Sequence, residues 1–253
     1  VLRAFTLPLW LATEPAQDPQ VRTTDMNRPT VAEIAATLDH AVLQPNFSDA
    51  DVRAHARMCV ARGVKSLCAR PCDVALAASC LAGSAVLVSA VVGFPHGHHR
   101  PEVKALEATL AIHDGARELD MVMNIGKFLS GDTDWVRRDI AAVVAVAKPQ
   151  GVLVKVILES AFLTLDQVAE ACQLAEQAGA DFVKTSTGFG PGGATSEVVE
   201  VMLRTVGGRL GVKASGGIRD WQTAVGYLTQ GATRLGVGAT EAILDGGVAS
   251  GGY

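Results

Sequence analysis

Asp181-Phe182-Val183-Lys184-Thr185-Ser186-Thr187-Gly188 and, after a helical period, Gly211-Val212-Lys213-Ala214-Ser215-Gly216-Gly217 are two versions of one pattern. Each is a short apolar run with a lysine inside it, closing on small hydroxyl residues and glycine. Strands of a parallel sheet are covered on both faces and read as near-continuous aliphatic runs. An ammonium in such a run loses hydration and must be paired, neutralised or used. Two cations on neighbouring strands lower each other's pKa, and a neutral amine is the form that attacks a carbonyl. The alternative is two lysines snorkelling from strand ends into water.

Outward from this pair the same unit repeats. Apolar runs ending at His40, then at 64–69, 85–92, 118–124, 153–159, 182–187, 212–215 and 234–237, read as eight strands. Helical patterns alternate with them. Ser48 caps one that Gly63 stops, Pro101 opens another, and Thr164 with Gln167 has the spacing of a capping box. Eight strand–helix units over this length predict an α/β fold, a single-domain (β/α)8 TIM barrel. A doubly wound sheet alternates in the same way, but no G-x-G-x-x-G follows the first strand. The barrel is expected over residues 29–245, with 1–28 an extension outside the fold and 246–253 a flexible tail.

Composition narrows the function classes. The 253 residues are 49% hydrophobic and 19% charged, and a formal net charge of -4 without basic runs argues against nucleic acid. Aromatics, at 5%, are too few for a stacking platform. No apolar run reaches the ~18 residues of a membrane-spanning helix. Val1–Ala12 faintly resembles a signal peptide, but Pro8 interrupts its apolar stretch and an unstructured extension is the preferred reading. Five cysteines inside helical or strand patterns point to free thiols in a reducing, cytoplasmic setting.

Barrel sites gather at the C-terminal ends of the strands. In order, these ends offer Asp39 and His40, Cys68, Phe94 with Pro95 and His96, then Asp120 with Asn124, and Lys155 with Glu159. Lys184, Ser186 and Thr187 follow, then Lys213, Ser215, Gly216 and Gly217, and last Gly236 and Gly238. Three of the seven lysines lie in strands of consecutive units, whereas solvated lysines favour helices. Asp120, between Leu119 and Met121, is a carboxylate placed to neutralise one of them; a core ion pair without catalytic role is the alternative. Gly188, Gly216-Gly217 and Gly236 with Gly238 follow the last three strands, where backbone N–H groups cradle phosphate in many barrels. His96-Gly97-His98-His99 lacks acidic or cysteine partners, so no metal is expected there. Cys68 has no local base and reads as pocket lining.

Seven segments then carry a resemblance. Leu38-Asp39-His40, Ser66-Leu67-Cys68, Val91-Val92-Gly93-Phe94-Pro95, Glu118–Gly126, Lys155–Glu159, Phe182–Gly188 and Val212–Gly217 appear in the order found in deoxyribose-phosphate aldolases. The chain resembles that family, class I Schiff-base-forming aldolases on a TIM barrel, from Ile34 to Leu244. The resemblance implies Lys184 as the Schiff-base lysine, Lys213 as the lysine that tunes it, and Asp120 as the proton-relay carboxylate. It implies a further pocket lysine at Lys155, and with the strand-end residues Asp39, Cys68, Thr187, Gly188, Gly216, Gly217 and Gly238 this makes up the expected substrate contacts. It also implies a sugar phosphate and an aldehyde as ligands, no cofactor, and a homodimer. A lyase or isomerase acting on another sugar phosphate, and a non-catalytic barrel that binds a phosphorylated metabolite, remain as other readings.

The chain departs from the family pattern at Ala41, where a hydroxyl residue is usual, at Gln44 and at Arg70. After the eighth strand, serines that commonly assist phosphate are replaced in Gly236-Val237-Gly238-Ala239-Thr240. The tail ends in Tyr253, and its last eight residues, spanning at most roughly 26–29 Å when extended, reach back across the rim. Tyr253 is therefore an expected accessory proton donor or acceptor at the enamine carbon.

Overall fold

Valine, leucine and isoleucine at every second strand position set the architecture, because each strand buries one face against helices and the other inside a ring. The computed structural model describes residues 29–249. Its strands are β1 (Leu38–Val42), β2 (Ser66–Ala69), β3 (Leu87–Val92), β4 (Glu118–Val122), β5 (Leu153–Ile157), β6 (Phe182–Lys184), β7 (Gly211–Ser215) and β8 (Arg234–Val237). All pair in parallel and in sequence order, and β8 closes on β1. The helices are α1 (Val31–Ala35), α2 (Asp49–Arg62), α3 (Val74–Leu81), α4 (Pro101–His113), α5 (Ile125–Leu129), α6 (Thr133–Ala147), α7 (Leu165–Gln177), α8 (Ser196–Val206), α9 (Trp221–Gln230) and α10 (Thr240–Leu244).

Local chemistry fixes the helix ends. Ser48 and Asp51 form a capping box on α2, as do Thr164 and Gln167 on α7. Gly63, at φ 63°, ends α2 in the left-handed region that glycine adopts without cost. Three strands stop earlier than their apolar runs, β6 among them at Lys184. β4 ends at Val122 because the Asn124 side chain accepts from Lys127 N at 3.0 Å and caps α5, a helix that the apolar pattern hides. β5 ends at Ile157, and Glu159 turns into the left-handed region at φ 52°.

Alternation then separates two cores. Leu119, Met121, Val154, Val156, Val183, Val212 and Leu235 face outward and join the apolar layer beneath the helices. Between them Asp39, Ser66, Ser89, Glu118, Asp120, Lys155, Lys213 and Ser215 point into the ring, all buried. A further buried pair lies outside the ring, where Lys104 Nζ of α4 donates to Asp139 Oδ2 of α6 at 2.5 Å and to Val122 O at 2.8 Å.

The compact barrel unit begins at Val31. Residues 1–28, expected to lie outside the fold, are outside the described residues, as is Tyr253. Of the tail expected to lack regular structure, 246–249 are described, and they are tied down. Val248 forms an isolated antiparallel bridge with Asp220, and Ala249 N donates to Arg219 O at 3.1 Å. Among the described residues no helix is long and apolar enough to cross a membrane.

Candidate active site

Sheet register assembles the site. Asp120 pairs with Lys155 across β4–β5, Ile157 with Lys184 across β5–β6, and Lys184 with Lys213 across β6–β7. The inward residues of four consecutive strands thus converge on one carboxylate. Asp120 Oδ2 accepts from Lys184 Nζ at 2.8 Å and from Lys213 Nζ at 2.6 Å. Its Oδ1 accepts from Lys155 Nζ at 2.8 Å and Ser89 Oγ at 3.2 Å. Asp120 accepts hydrogen bonds from three lysines, where one partner was expected.

A second tier supports this one. Lys155 Nζ also donates to Glu118 Oε2 at 2.6 Å. Arg234 reaches Asp39 through Nε at 3.0 Å and Glu118 through Nη1 at 2.9 Å. Ser66 Oγ donates to Asp39 Oδ1 at 2.6 Å. Lys213 Nζ lies 2.6 Å from Asp39 Oδ2, an ion pair whose angles are not those of a hydrogen bond. The hydroxyls of Ser186 and Ser215 are buried without a hydrogen-bond partner among the described residues.

Burial opposes the charges of Asp39, Glu118, Asp120, Lys155 and Lys213, and the opposite charges outweigh it. For Asp120, burial would raise the pKa, yet Lys155, Lys184 and Lys213 hold it well below the usual carboxylate range. Asp39 is likewise held down against burial by Lys213, Lys155 and Arg234. Glu118 is lowered by Lys155 and Arg234. Burial would depress the Lys213 ammonium, but Asp120 and Asp39 prevail and hold it above the ordinary lysine value. The lowering expected from a neighbouring cation is present at Lys213, and it is outweighed. Lys184 does oppose its charge, but two carboxylates at 2.6 Å count for more. Lys155 is raised in the same way by Asp120 and Asp39.

The substrate contacts implied by the sequence separate into distinct places. Gly217 and Gly238 line a cavity of about 270 Å³ with Gly236, His55 and Arg219. Gly236 joins it to the charged cluster, since a Cβ there would lie 3.1 Å from Lys213 Cε. Thr187 lines a second cavity of about 370 Å³ with His96, Glu159, Phe162 and Phe189. Its hydroxyl bonds the buried Glu159 carboxylate and accepts from Phe189 N at 3.0 Å. Gly188 and Gly216 shape the loops; Gly216, at φ 85°, meets Gly193 backbone to backbone, where a Cβ would lie 2.9 Å from Gly193 Cα. Cys68 packs with Ala41, Leu43, Val91 and Phe94, and burial pushes its thiol pKa up. Asp39 and Lys155 line neither cavity and sit inside the ion cluster. The Lys184 amine is covered, its side chain 1% exposed.

Glu118, Arg234 and Ser89 were missed. Glu118 lies two residues before Asp120 on the same face, so the alternation that found Asp120 also marks it. His96 and His98 stack at 5.5 Å on the surface, and among the described residues no His, Cys, Asp or Glu group is arranged to hold a metal ion.

The sequence profile of the DeoC/LacD family aldolases matches residues 34–251. A deoxyribose-phosphate aldolase of a Geobacillus strain is 47% identical over 220 residues, which is 87% of this chain and 98% of that protein. The deoxyribose-phosphate aldolase of Mycobacterium tuberculosis is 50% identical over 226 residues, 87% of this chain and 99% of that one. The tetrameric deoxyribose phosphate aldolase of Aeropyrum pernix superposes with a TM-score of 0.80 at 31% identity, covering 85% of this chain and 91% of that one. A closed ring with three lysines on one buried aspartate, matched over most of its length by these proteins, places the chain in the DeoC/LacD family of aldolases, carbon–carbon lyases.

Proposed function

We propose that this aldolase reversibly cleaves 2-deoxy-D-ribose 5-phosphate to acetaldehyde and D-glyceraldehyde 3-phosphate through a Schiff base on Lys184. The observation that carries the reading is the charge balance of the cluster. Asp39, Glu118 and Asp120 supply three negative charges, and Lys155, Lys213 and Arg234 supply three positive ones. With its amine neutral, Lys184 leaves the buried cluster without net charge, which is the cheapest state in a low dielectric.

The steps follow from that state. The Lys184 amine attacks the aldehyde carbon C1, and the carbinolamine takes a proton and loses water to give the iminium. The C3 hydroxyl then gives up its proton, C3 becomes the aldehyde of glyceraldehyde 3-phosphate, and the C2–C3 electron pair moves into an enamine. Protonation at C2 and hydrolysis release acetaldehyde and the free lysine. Lys213, held as an ammonium, is the proton donor; Asp120 passes protons between it and Lys184. Asp39 and Lys155 fix Lys213 and Asp120 in place. The phosphate end is read by the Gly217 and Gly238 loops.

Borohydride reduction in the presence of acetaldehyde, followed by peptide mapping, tests the assignment. A two-carbon adduct on Lys184, absent in Lys184→Ala, is expected; an adduct on Lys155 or Lys213 instead, or none, overturns it. The five unpaired cysteines support a cytoplasmic setting. A homodimer is the assembly proposed, and sedimentation distinguishes it from a monomer.

A further inference from the structure

We propose that His55 reads the phosphate end of the substrate, as a neutral donor whose tautomer is set by His40 and Thr240. This rests on the reading that the substrate is a phosphorylated sugar. His55 stands on α2 and lines the cavity that also holds Gly217 and Gly238. Besides Gln44 and Arg219 it is the only polar side chain of that lining. The segment after β8 supplies no hydroxyl to the cavity. Gly238 and Ala239 have none, and the Thr240 hydroxyl is turned away, 2.9 Å from His40 Nδ1.

The ring of His55 is held on both sides. Phe47 packs at 5.1 Å between centroids, and His40 lies at 4.9 Å with its Nε2 only 2.8 Å from His55 Nδ1. Nδ1 is thereby occupied and Nε2 is left as the nitrogen of His55 without a partner among the described residues. The facing nitrogens share one proton, so two proton orders are self-consistent. In one, Thr240 donates to His40, His40 donates to His55, and His55 Nε2 carries a hydrogen. In the other every bond reverses and Nε2 presents a lone pair. A phosphate oxyanion accepts only, so it selects the first order.

Both rings are neutral at neutral pH. Burial, then His55, brings the His40 imidazole down to about 3. Burial lowers His55 too, against Asp51 on its own helix and Glu241 on α10. The lowered values agree with a donor that works without carrying charge. Arg219, from the loop before α9, supplies the formal positive charge at this end.

The test compares kcat/KM for 2-deoxyribose 5-phosphate with that for unphosphorylated 2-deoxyribose. In His55→Leu the ratio of the two falls about tenfold to a hundredfold, through KM of the ester, as expected for a lost hydrogen bond to a charged group. His55→Gln, which keeps a donor, restores most of it; Thr240→Val, which removes the hydroxyl that orders the chain, lies between. An unchanged ratio in His55→Leu, or equal loss on both sugars, overturns the proposal. A second measurement does not depend on turnover. Inorganic phosphate titrated into the wild type, followed by imidazole 15N shifts, moves His55 Nε2 toward its protonated position. If the wild type cleaves neither sugar, the aldolase reading has failed and this titration still decides His55: no response means that it does not read the anion.

Discussion

Asp120→Asn is the sharpest perturbation of the cluster. The side chain keeps its shape but loses the charge that three lysines share at 2.6–2.8 Å. Lys155, Lys213 and Arg234 then face only Asp39 and Glu118, so the buried cluster carries one uncompensated positive charge. Removing one partner of a buried ion pair costs about 3–5 kcal/mol. The amide nitrogen worsens the fit, because each carboxylate oxygen of Asp120 accepts from a lysine and one of them becomes a donor. Without the Asp120 charge that holds it up, the buried Lys213 ammonium gives up its proton more readily, which relieves the cluster. The ammonium that donates to the carbinolamine is then missing, and the relay with it. Loss of a positioned acid–base group is worth about 10²–10⁴ in rate. Coupled assay of glyceraldehyde 3-phosphate at neutral pH should show kcat down by at least about a hundredfold. Urea denaturation should show stability down by about 3–5 kcal/mol. Turnover within tenfold of wild type, with an unchanged urea midpoint, would refute the charge-balance argument.

Three further outcomes are expected. Gly236→Ala puts a Cβ 2.4 Å from Ser215 Oγ and 3.1 Å from Lys213 Cε, so steady-state assay should show kcat down tenfold or more with an unchanged far-UV spectrum. Arg234→Met leaves the buried cluster one positive charge short, with Asp39 and Glu118 held only by Lys213 and Lys155, lowering stability by about 3–5 kcal/mol in denaturant titration. Both carboxylates are held below their ordinary values, so their stabilisation is present above the usual carboxylate range and fades as pH falls below it. In the Arg234 variant the acid-unfolding midpoint should therefore move up. Asp139 behaves in the opposite sense. Burial pushes its carboxyl from 3.8 up to about 6 against the pull of Lys104, so the folded state binds the proton more readily than the unfolded one. Wild-type stability should decline from this group as pH rises from about 4 to about 6 and level off above, and Asp139→Asn should remove that decline in pH-resolved denaturation.

The ring and its lysines were legible because charge inside an aliphatic strand is costly enough to be conspicuous in a sequence. Lys155, Lys184 and Lys213 interrupt runs that burial on both faces would otherwise fill with aliphatic residues. Arg234 and Glu118 passed unnoticed because they open their strands, where a charge reads as solvated, and because they sit 116 residues apart. The strength of the pull that keeps Lys213 charged passed unnoticed for the same reason. Its repulsion by Lys184 is visible from adjacent strands, whereas its attraction to Asp39 depends on the ring being closed. His55 was not anticipated at all. On a helix it reads as surface, and only the packing of α2 against β1 brings it to His40. The α5 helix was lost inside an apolar run that one Asn124 side chain divides.

Closure of β8 onto β1 joins residues 195 positions apart through Asp39 and Arg234. Contacts of such range form late, since the chain must give up most of its freedom before they reward it. The environment that readies Lys184 is therefore the last thing the nascent polypeptide completes. A chain stopped short of β8 has Lys184 and Asp120 in its sequence but lacks Arg234, so Asp39 and Glu118 are one counter-charge short and the balance around the nucleophile is incomplete. Capture of acetaldehyde during refolding then works as a clock for the final docking event, read in the same lysine that performs the chemistry.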